Sequence, residues 1–265
     1  MATRSDQIRI ISWNINRGER LHETIQFLSD QEADLILLQE TDVNARRTDR
    51  RNIARDIAQA VKMNYVFGCE FEELTQGHSL SPAYHGQATL SRLPLSNARI
   101  LRFQNQSSFW RPRWFIPQMR FLQRRLGGRM ALISDVDLPE RKLVLYNVHL
   151  ESRGNNLLRC SQLSEIYDDL CQYSPDLPIV VAGDFNFDLC QKPAAAIVGN
   201  MRFDNPFDRR RSCHGADLSA LNGSPAIDWI LTTGPLIASE PKLHDSVRAS
   251  DHYPLSLTLR FRPPA

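Results

Sequence analysis

Six short apolar runs in this sequence close on a particular polar side chain. IRIISW ends at Asn14, DLILLQ at Glu40, KLVLYNV at His149, and PIVVAG at Asp184 with Asn186 two residues on. AIDWIL carries Asp228 within it, and Ala249-Ser250-Asp251-His252 leads into the last apolar run. Runs of this length, rich in Ile, Leu and Val and bounded by polar residues, predict buried strands whose ends open into a site. Any one of these endings could be a turn or cap residue, since Asn, Asp and Ser after a strand are ordinary turn chemistry. Six together, bringing two His and four carboxylates, point to a shared pocket if the strand ends converge.

The rest of the chain is consistent with a strand-rich plan. A first strand is predicted at Ile8–Trp13, then a helix from about Glu19 to Ser29 with Leu21, Ile25 and Leu28 on one face. A second helix is expected at roughly Asp49–Met63 and a third around Leu157–Tyr173, with strand-like stretches between them and after them. Strands outnumber helices and do not alternate with them as βαβ units, so the pattern predicts two packed sheets with helices outside. No repeat and no Gly/Ser-rich or Pro-rich linker divides the chain, and residues 1–265 are read as a single domain.

Composition excludes several classes. A hydrophobic fraction of 42% supports a core and rules out wholesale disorder. No run approaches the roughly 20 apolar residues that cross a bilayer, and the N-terminus lacks the plan of a signal peptide. Cys69, Cys160, Cys171, Cys190 and Cys213 are odd in number and widely spaced, which suits reduced thiols in a cytoplasm.

The net charge of +2 hides an asymmetry. Between Arg99 and Arg129 lie eight Arg and no Asp or Glu, so this window carries +8 and the remainder +2 less +8, or −6. Phe103, Phe109, Trp110, Trp114, Phe115 and Phe121 are interleaved with those Arg. Arg beside aromatic rings suits phosphate pairing and base stacking, with Arg111 and Arg113 as candidate substrate contacts. The same insertion, at about 104–129, would also suit an anionic membrane surface, or it could dock its rings on the protein's own core while its Arg are merely solvated. Arg209-Arg210-Arg211 is too short to weigh alone, and Cys213-His214 reads as an ordinary loop pair.

A pocket of these residue types is hard and oxygen-rich. Glu40 and Asp251 could hold one Mg²⁺, while Asn14 and Asn186 could donate to a phosphate oxygen or an attacking water. His149 and His252 could move protons or stabilise negative charge, with Asp228 as a partner for His252. Zinc, serine-nucleophile and nucleotide-cofactor motifs are absent. His85 and Gln87 precede a predicted strand and either orient His149 or, more simply, are loop residues; Trp229 reads as core, and Arg153 and Asn155 either reach substrate or start a helix. The residues point to metal-assisted hydrolysis of a phosphate ester.

At these positions the sequence resembles the endonuclease/exonuclease/phosphatase superfamily. The stretches SWN (12–14), LQE (38–40), NVHLES (147–152), GDFN (183–186), IDWI (227–230) and SDH (250–252) occur in the family's order. GQATLSRLPLS (86–96) looks like a further family strand pair. The resemblance implies a four-layer α/β/β/α sandwich and a Mg²⁺ or Mn²⁺ bound mainly by Glu40, with Asn14 and Asp251 near it. It implies Asp184 and His252 as the proton-handling pair, Asn186 positioning the water, and His149 binding the phosphoryl group. NVHLES departs from the exonuclease III and abasic-site branch and is more similar to deoxyribonucleases, sphingomyelinases, inositol phosphatases and tyrosyl-DNA phosphodiesterase. The expected activity is therefore a metal-dependent phosphodiesterase, with nucleic acid the leading substrate. A phospholipid or sphingomyelin diester, a small-molecule phosphate, and a binding module without catalysis are the alternatives.

Overall fold

The computed structural model describes residues 7–110, 124–139, 141–207 and 226–262. From the N-terminus come β1 (Gln7–Arg17), α1 (Leu21–Gln31), β2 (Leu35–Val43), α2 (Ile53–Val61), β3 (Asn64–Glu73), β4 (Tyr84–Ser91) and β5 (Leu95–Arg102). They are followed by β6 (Arg125–Gly127), β7 (Met130–Asp137), β8 (Lys142–His149), α3 (Asn156–Leu170), β9 (Ile179–Asp184) and α4 (Ala194–Asn200). The last strands are β10 (Asp228–Thr232), β11 (Leu236–Leu243) and β12 (Leu255–Phe261). One sheet has the order β11-β12-β1-β2-β4-β3-β6 and the other β10-β9-β8-β7-β5. Each sheet has one parallel pair, β1 with β2 and β8 with β9, joined through α1 and α3 respectively. Such a crossover is what a parallel pair requires.

Strand periodicity sorts the apolar residues into three cores. Ile10 of β1, Leu35 and Leu37 of β2, Leu143 and Leu145 of β8, Val180 and Ala182 of β9 and Ile230 of β10 pack between the sheets. Residues of the opposite alternation on the same strands, Ile11, Trp13, Ile36 and Leu38, face α1 and α2 and meet Leu28, Ile53 and Ile57. Val144, Tyr146, Val148, Val181 and Trp229 face α3 and meet Leu163 and Ile166. Three cores separate four layers, and the fold is the α/β/β/α sandwich expected from the resemblance. Each large apolar side chain fully buried in these cores contributes roughly 1.5–3 kcal/mol.

Some boundaries differ from the sequence reading. Helix α2 starts later than Asp49 because Asn52 caps it, its side chain accepting from Arg55 N at 3.0 Å. Strand β6 and helix α4 were not anticipated; three residues of strand carry no detectable period. His85 and Gln87 are not in a loop but on β4, both buried.

Candidate active site

The site is the polar continuation of the core between the sheets. On β1 the even-numbered residues face the opposite sheet, so Asn14 follows Ile10 onto that face. The same alternation carries His149 beyond Leu143 and Leu145, Asp184 beyond Val180 and Ala182, and Asp228 beside Ile230. A layer of buried amides separates core from site: Gln39 Nε2 donates to Asn147 Oδ1 at 2.7 Å, and Asn147 Nδ2 donates to Leu38 O at 3.1 Å.

Glu40 breaks the alternation. Leu35 and Leu37 face the second sheet while Ile36 and Leu38 face the helices, so a regular strand would send Glu40 toward the helices. A β-bulge between Leu38 and Thr41, with Glu40 at φ 54°, brings its carboxylate back to the site. There Glu40 Oε1 accepts from Asn14 Nδ2 at 3.4 Å and lies 4.0 Å from His149 Nε2. The reading of Asn14 and Glu40 as strand ends is thus corrected: both strands continue to Arg17 and Val43, and irregular pairing at the bulges aims the side chains. Left-handed backbone recurs at Asn186, φ 55°, a conformation that Asn adopts more readily than most residues with a side chain.

Asp184 Oδ2 is the point of convergence. Asn14 Nδ2 lies 3.1 Å from it, His149 Nε2 3.6 Å and His252 Nε2 3.8 Å. Gly183 beneath it, φ 145°, crosses β8 so closely that a Cβ would collide with the carbonyl oxygen of Val148. The other Asp184 oxygen accepts from Asn186 N at 2.8 Å, and the Asn186 amide donates to Leu150 O at 3.1 Å. His252 is brought in by the turn before β12. Its carbonyl accepts from Trp13 Nε1 at 2.9 Å, and Ser250 Oγ donates to Asn14 O at 2.7 Å. Asp251 is exposed, and its Oδ1 lies 3.2 Å from Ser250 Oγ.

The electrostatics separate the titratable groups. Burial alone would lower His252, but the charges of Asp228 and Asp184, with the 2.8 Å bond from its Nδ1 to Asp228 Oδ2, raise it to about 10. Burial raises Asp228 to about 6, the imidazolium of His252 opposing and the charge of Asp184 assisting. Burial would also raise Glu40, yet the positive potential of His85, His149, Arg129 and Arg17 brings it to about 2. Its side chain is 22% exposed, against 2% for Asp184 and 4% for Asp228, so Glu40 offers the accessible anionic oxygen.

Two possible cation seats follow. The resemblance favours Glu40 with Asn14 and Asp251. Among the described residues the groups whose ligand atoms lie within 4.8 Å of one another are Asp184, Asp228 and His252. A cation there would compete with the His252–Asp228 hydrogen bond, whereas Glu40 is ionised and open to solvent. An ionised carboxylate such as Glu40 is a hard oxygen donor of the kind that Mg²⁺ or Mn²⁺ takes.

Several site residues escaped the sequence reading. Glu70, fully buried on β3, accepts from Arg129 Nη1 at 2.7 Å and Gln87 Nε2 at 3.1 Å and lies 2.9 Å from His149 Nδ1. Burial opposes its ionisation, but His149 and Arg129 hold it well below the usual carboxylate range. Arg129 Nη1 is 2.8 Å from His149 Nδ1. Gln87 therefore reaches His149 only through Glu70, and His85 instead pairs with Asp42 at 2.7 Å. A carboxylate in the middle of a strand, flanked by Cys69 and Phe71, was the available signal for Glu70.

The Arg/aromatic window also changes meaning. No acidic partner is visible within it, yet Arg99 pairs with Asp169 at 2.6 Å, Arg125 with Glu73 at 3.0 Å and Arg129 with Glu70 at 2.7 Å. Arg102 donates to the carbonyls of Glu70, Gly128 and Cys69. Half of the window's eight Arg thus have partners from the folded protein. Asn155 caps α3, accepting from Leu158 N at 3.1 Å, and Trp229 is fully buried. Arg111, Arg113, the Arg209-Arg210-Arg211 run and Cys213-His214 lie outside the described residues. No helix among the described residues is long and apolar enough to cross a membrane.

A sequence model described as the Endonuclease/Exonuclease/phosphatase family matches residues 11–252. Among solved structures, the endonuclease/exonuclease/phosphatase from Beutenbergia cavernae DSM 12333 aligns with a TM-score of 0.69 at 18% identity, over 97% of this chain and 72% of that one. A D. rerio TDP2 humanised by 14 mutations aligns at 0.66 and 20% identity, over 96% and 99% of the two chains. The human Nocturnin catalytic domain with bound sulfate anion aligns at 0.69 and 16% identity, over 99% and 97%. Likeness at these identities is likeness of fold. No curated protein matches the sequence.

Proposed function

We propose, for a chain that belongs to the endonuclease/exonuclease/phosphatase family and is thereby a phosphoester hydrolase, that it cleaves a phosphodiester in nucleic acid with Mg²⁺ or Mn²⁺ held at Glu40. The observation that carries the reading is the convergence on Asp184 Oδ2 of Asn14, His149 and His252 within 3.1–3.8 Å, beside an ionised Glu40. Asn14 and Asp251 complete the proposed cation seat. When bound, the cation supplies Lewis-acid polarisation of a phosphoryl oxygen.

The protein's own groups divide the remaining work. Asp184, fixed through Asn186 N, accepts the proton of the attacking water. His252, charged at neutral pH through Asp228, donates from Nε2 to the phosphoryl group or the leaving oxygen. His149, held from behind by Glu70, contributes a second Nε2 donor. We place the reaction in the cytoplasm, where five cysteines, odd in number and widely spaced, suit reduced thiols.

The test is an activity panel over single- and double-stranded DNA and RNA, phosphoinositides, sphingomyelin and nucleotides, with Mg²⁺, Mn²⁺ or chelator. Asp184→Asn and His252→Ala are each expected to cut nucleic-acid turnover about 10²-fold or more with folding retained. Headgroup release without any nucleic-acid cleavage would overturn the substrate, and wild-type rates in both variants would overturn the site.

A further inference from the structure

The two described ends of the Arg/aromatic window meet beside the strand end that carries His149. Glu151, 1% exposed, accepts through Oε2 from Trp110 Nε1 at 2.7 Å and Ser107 N at 3.3 Å, and through Oε1 from Arg153 N at 3.2 Å. From the far end of the window, Arg129 lies 5.7 Å from the Trp110 ring centre, and Arg125 lies 4.7 Å from Phe71 and 5.6 Å from Phe109. The guanidinium of Arg153 lies 4.4 Å from the centre of the Phe109 ring.

Two members of this assembly are left facing solvent. Phe109 is 37% exposed, and Arg153 is exposed. Arg99, Arg102, Arg125 and Arg129 all have acidic or carbonyl partners, but among the described residues the Arg153 guanidinium has only the Phe109 ring. A guanidinium lying on a ring keeps its edge N–H donors and its outer face free. Arg153 is also held in place. Arg159 donates to the carbonyls of Glu151 and Ser152 at 2.7 and 2.9 Å, and Ser152 Oγ accepts from Arg129 at 3.1 Å. Arg153 is four positions beyond His149, a span of at most about 14 Å along the chain.

We propose that Arg153, backed by Phe109, is the subsite for the nucleotide next to the scissile phosphate of a single-stranded polynucleotide. This rests on the nucleic-acid reading of the site. The guanidinium edge meets the flanking phosphate, and its outer face takes an unpaired base. A duplex, whose bases are already stacked on one another, offers that face nothing.

The experiment is fluorescence anisotropy of labelled single-stranded and duplex 12-mers in chelator, with wild type, Arg153→Ala, Arg153→Lys, Phe109→Ala and Phe109→Trp, all checked by thermal melting. Arg153→Ala is expected to weaken single-strand binding about tenfold and to lower the salt slope by roughly 0.7, the share of one phosphate contact. Phe109→Ala should lose a similar factor, while Phe109→Trp retains binding and Arg153→Lys keeps the salt slope but loses affinity. Unchanged binding in both alanine variants, equal losses on duplex, or no single-strand binding by the wild type overturns the subsite. Wild-type cleavage of nucleic acid with an unchanged KM in both alanine variants overturns the subsite alone. The expected binding pattern without hydrolysis in Mg²⁺ or Mn²⁺ overturns the proposed reaction and supports the subsite. Preference for anionic vesicles over the 12-mers overturns both.

Discussion

Asp228→Asn removes one charge from the interior while preserving the shape of the side chain. In the wild type, Asp228 Oδ2 sits 2.8 Å from His252 Nδ1, with side-chain exposures of 4% and 8%. Burial works against the imidazolium, and the charges of Asp228 and Asp184 with the Asp228 bond overcome it, raising His252 from 6.5 to about 10. A raised histidine stabilises the fold fully below pH 6.5 and loses that contribution as pH climbs to about 10. At about 1.4 kcal/mol per pH unit the rise bounds the loss at roughly 5 kcal/mol. For a chain of this size that is a fall in Tm on the order of 10 °C across the interval. Asp228 itself, raised from 3.8 to about 6, contributes below pH 3.8 and loses its contribution by pH 6, so the two intervals do not overlap. Melts of chelator-treated protein from pH 6.5 to 10, with NMR titration of the His252 ring, measure the effect. Asp228→Asn should flatten the alkaline fall and move the His252 titration to neutral pH or below. It should also cut turnover at pH 7.5 about 10²-fold or more, because His252, the proposed proton donor, is then largely uncharged. An unchanged alkaline slope, or a His252 ring still titrating near 10, would refute the reasoning.

Glu40, lowered from 4.5 to about 2, stabilises the fold above pH 4.5 and loses that contribution as pH falls to about 2; Glu40→Gln should remove up to roughly 3 kcal/mol of this acid dependence in urea titrations at pH 2–5. Glu70→Ala leaves Arg129, 6% exposed, without its carboxylate and should destabilise by about 3–5 kcal/mol, read from the urea midpoint, whereas an effect below about 1 kcal/mol would show that the pair is not buried as described. Gly183→Ala sets a Cβ against the carbonyl of Val148 at a positive φ, and should either prevent folding or shift β9 enough to cut kcat with little change in KM.

The positions of Asn14, His149, Asp184 and Asp228 were legible because two regularities act together. Alternation along a strand determines which face a residue joins, and the end of an apolar run shows where the core stops. The pairing of His252 with Asp228 was legible as chemistry, an imidazole needing an acceptor. Glu40 was identified as a site residue but its route was not, because a bulge is a property of pairing with β4 and leaves no mark on the period. Glu70 and Arg129 were missed for a related reason. They come from β3 and from the residue before β7, and only tertiary contact makes an ion pair of residues 59 apart in sequence.

The amino-acid order by itself determined the layers of this protein and the polar groups that terminate its inner core, since periodicity and burial are local properties of a strand. Tertiary structure alone decided the fate of the described arginines of the Arg-rich window. Whether an arginine is neutralised depends on which carboxylates the fold delivers to it, and here Asp169 comes from α3 and Glu70 and Glu73 from β3. The Arg153 guanidinium, lying on Phe109, received no carboxylate among the described residues.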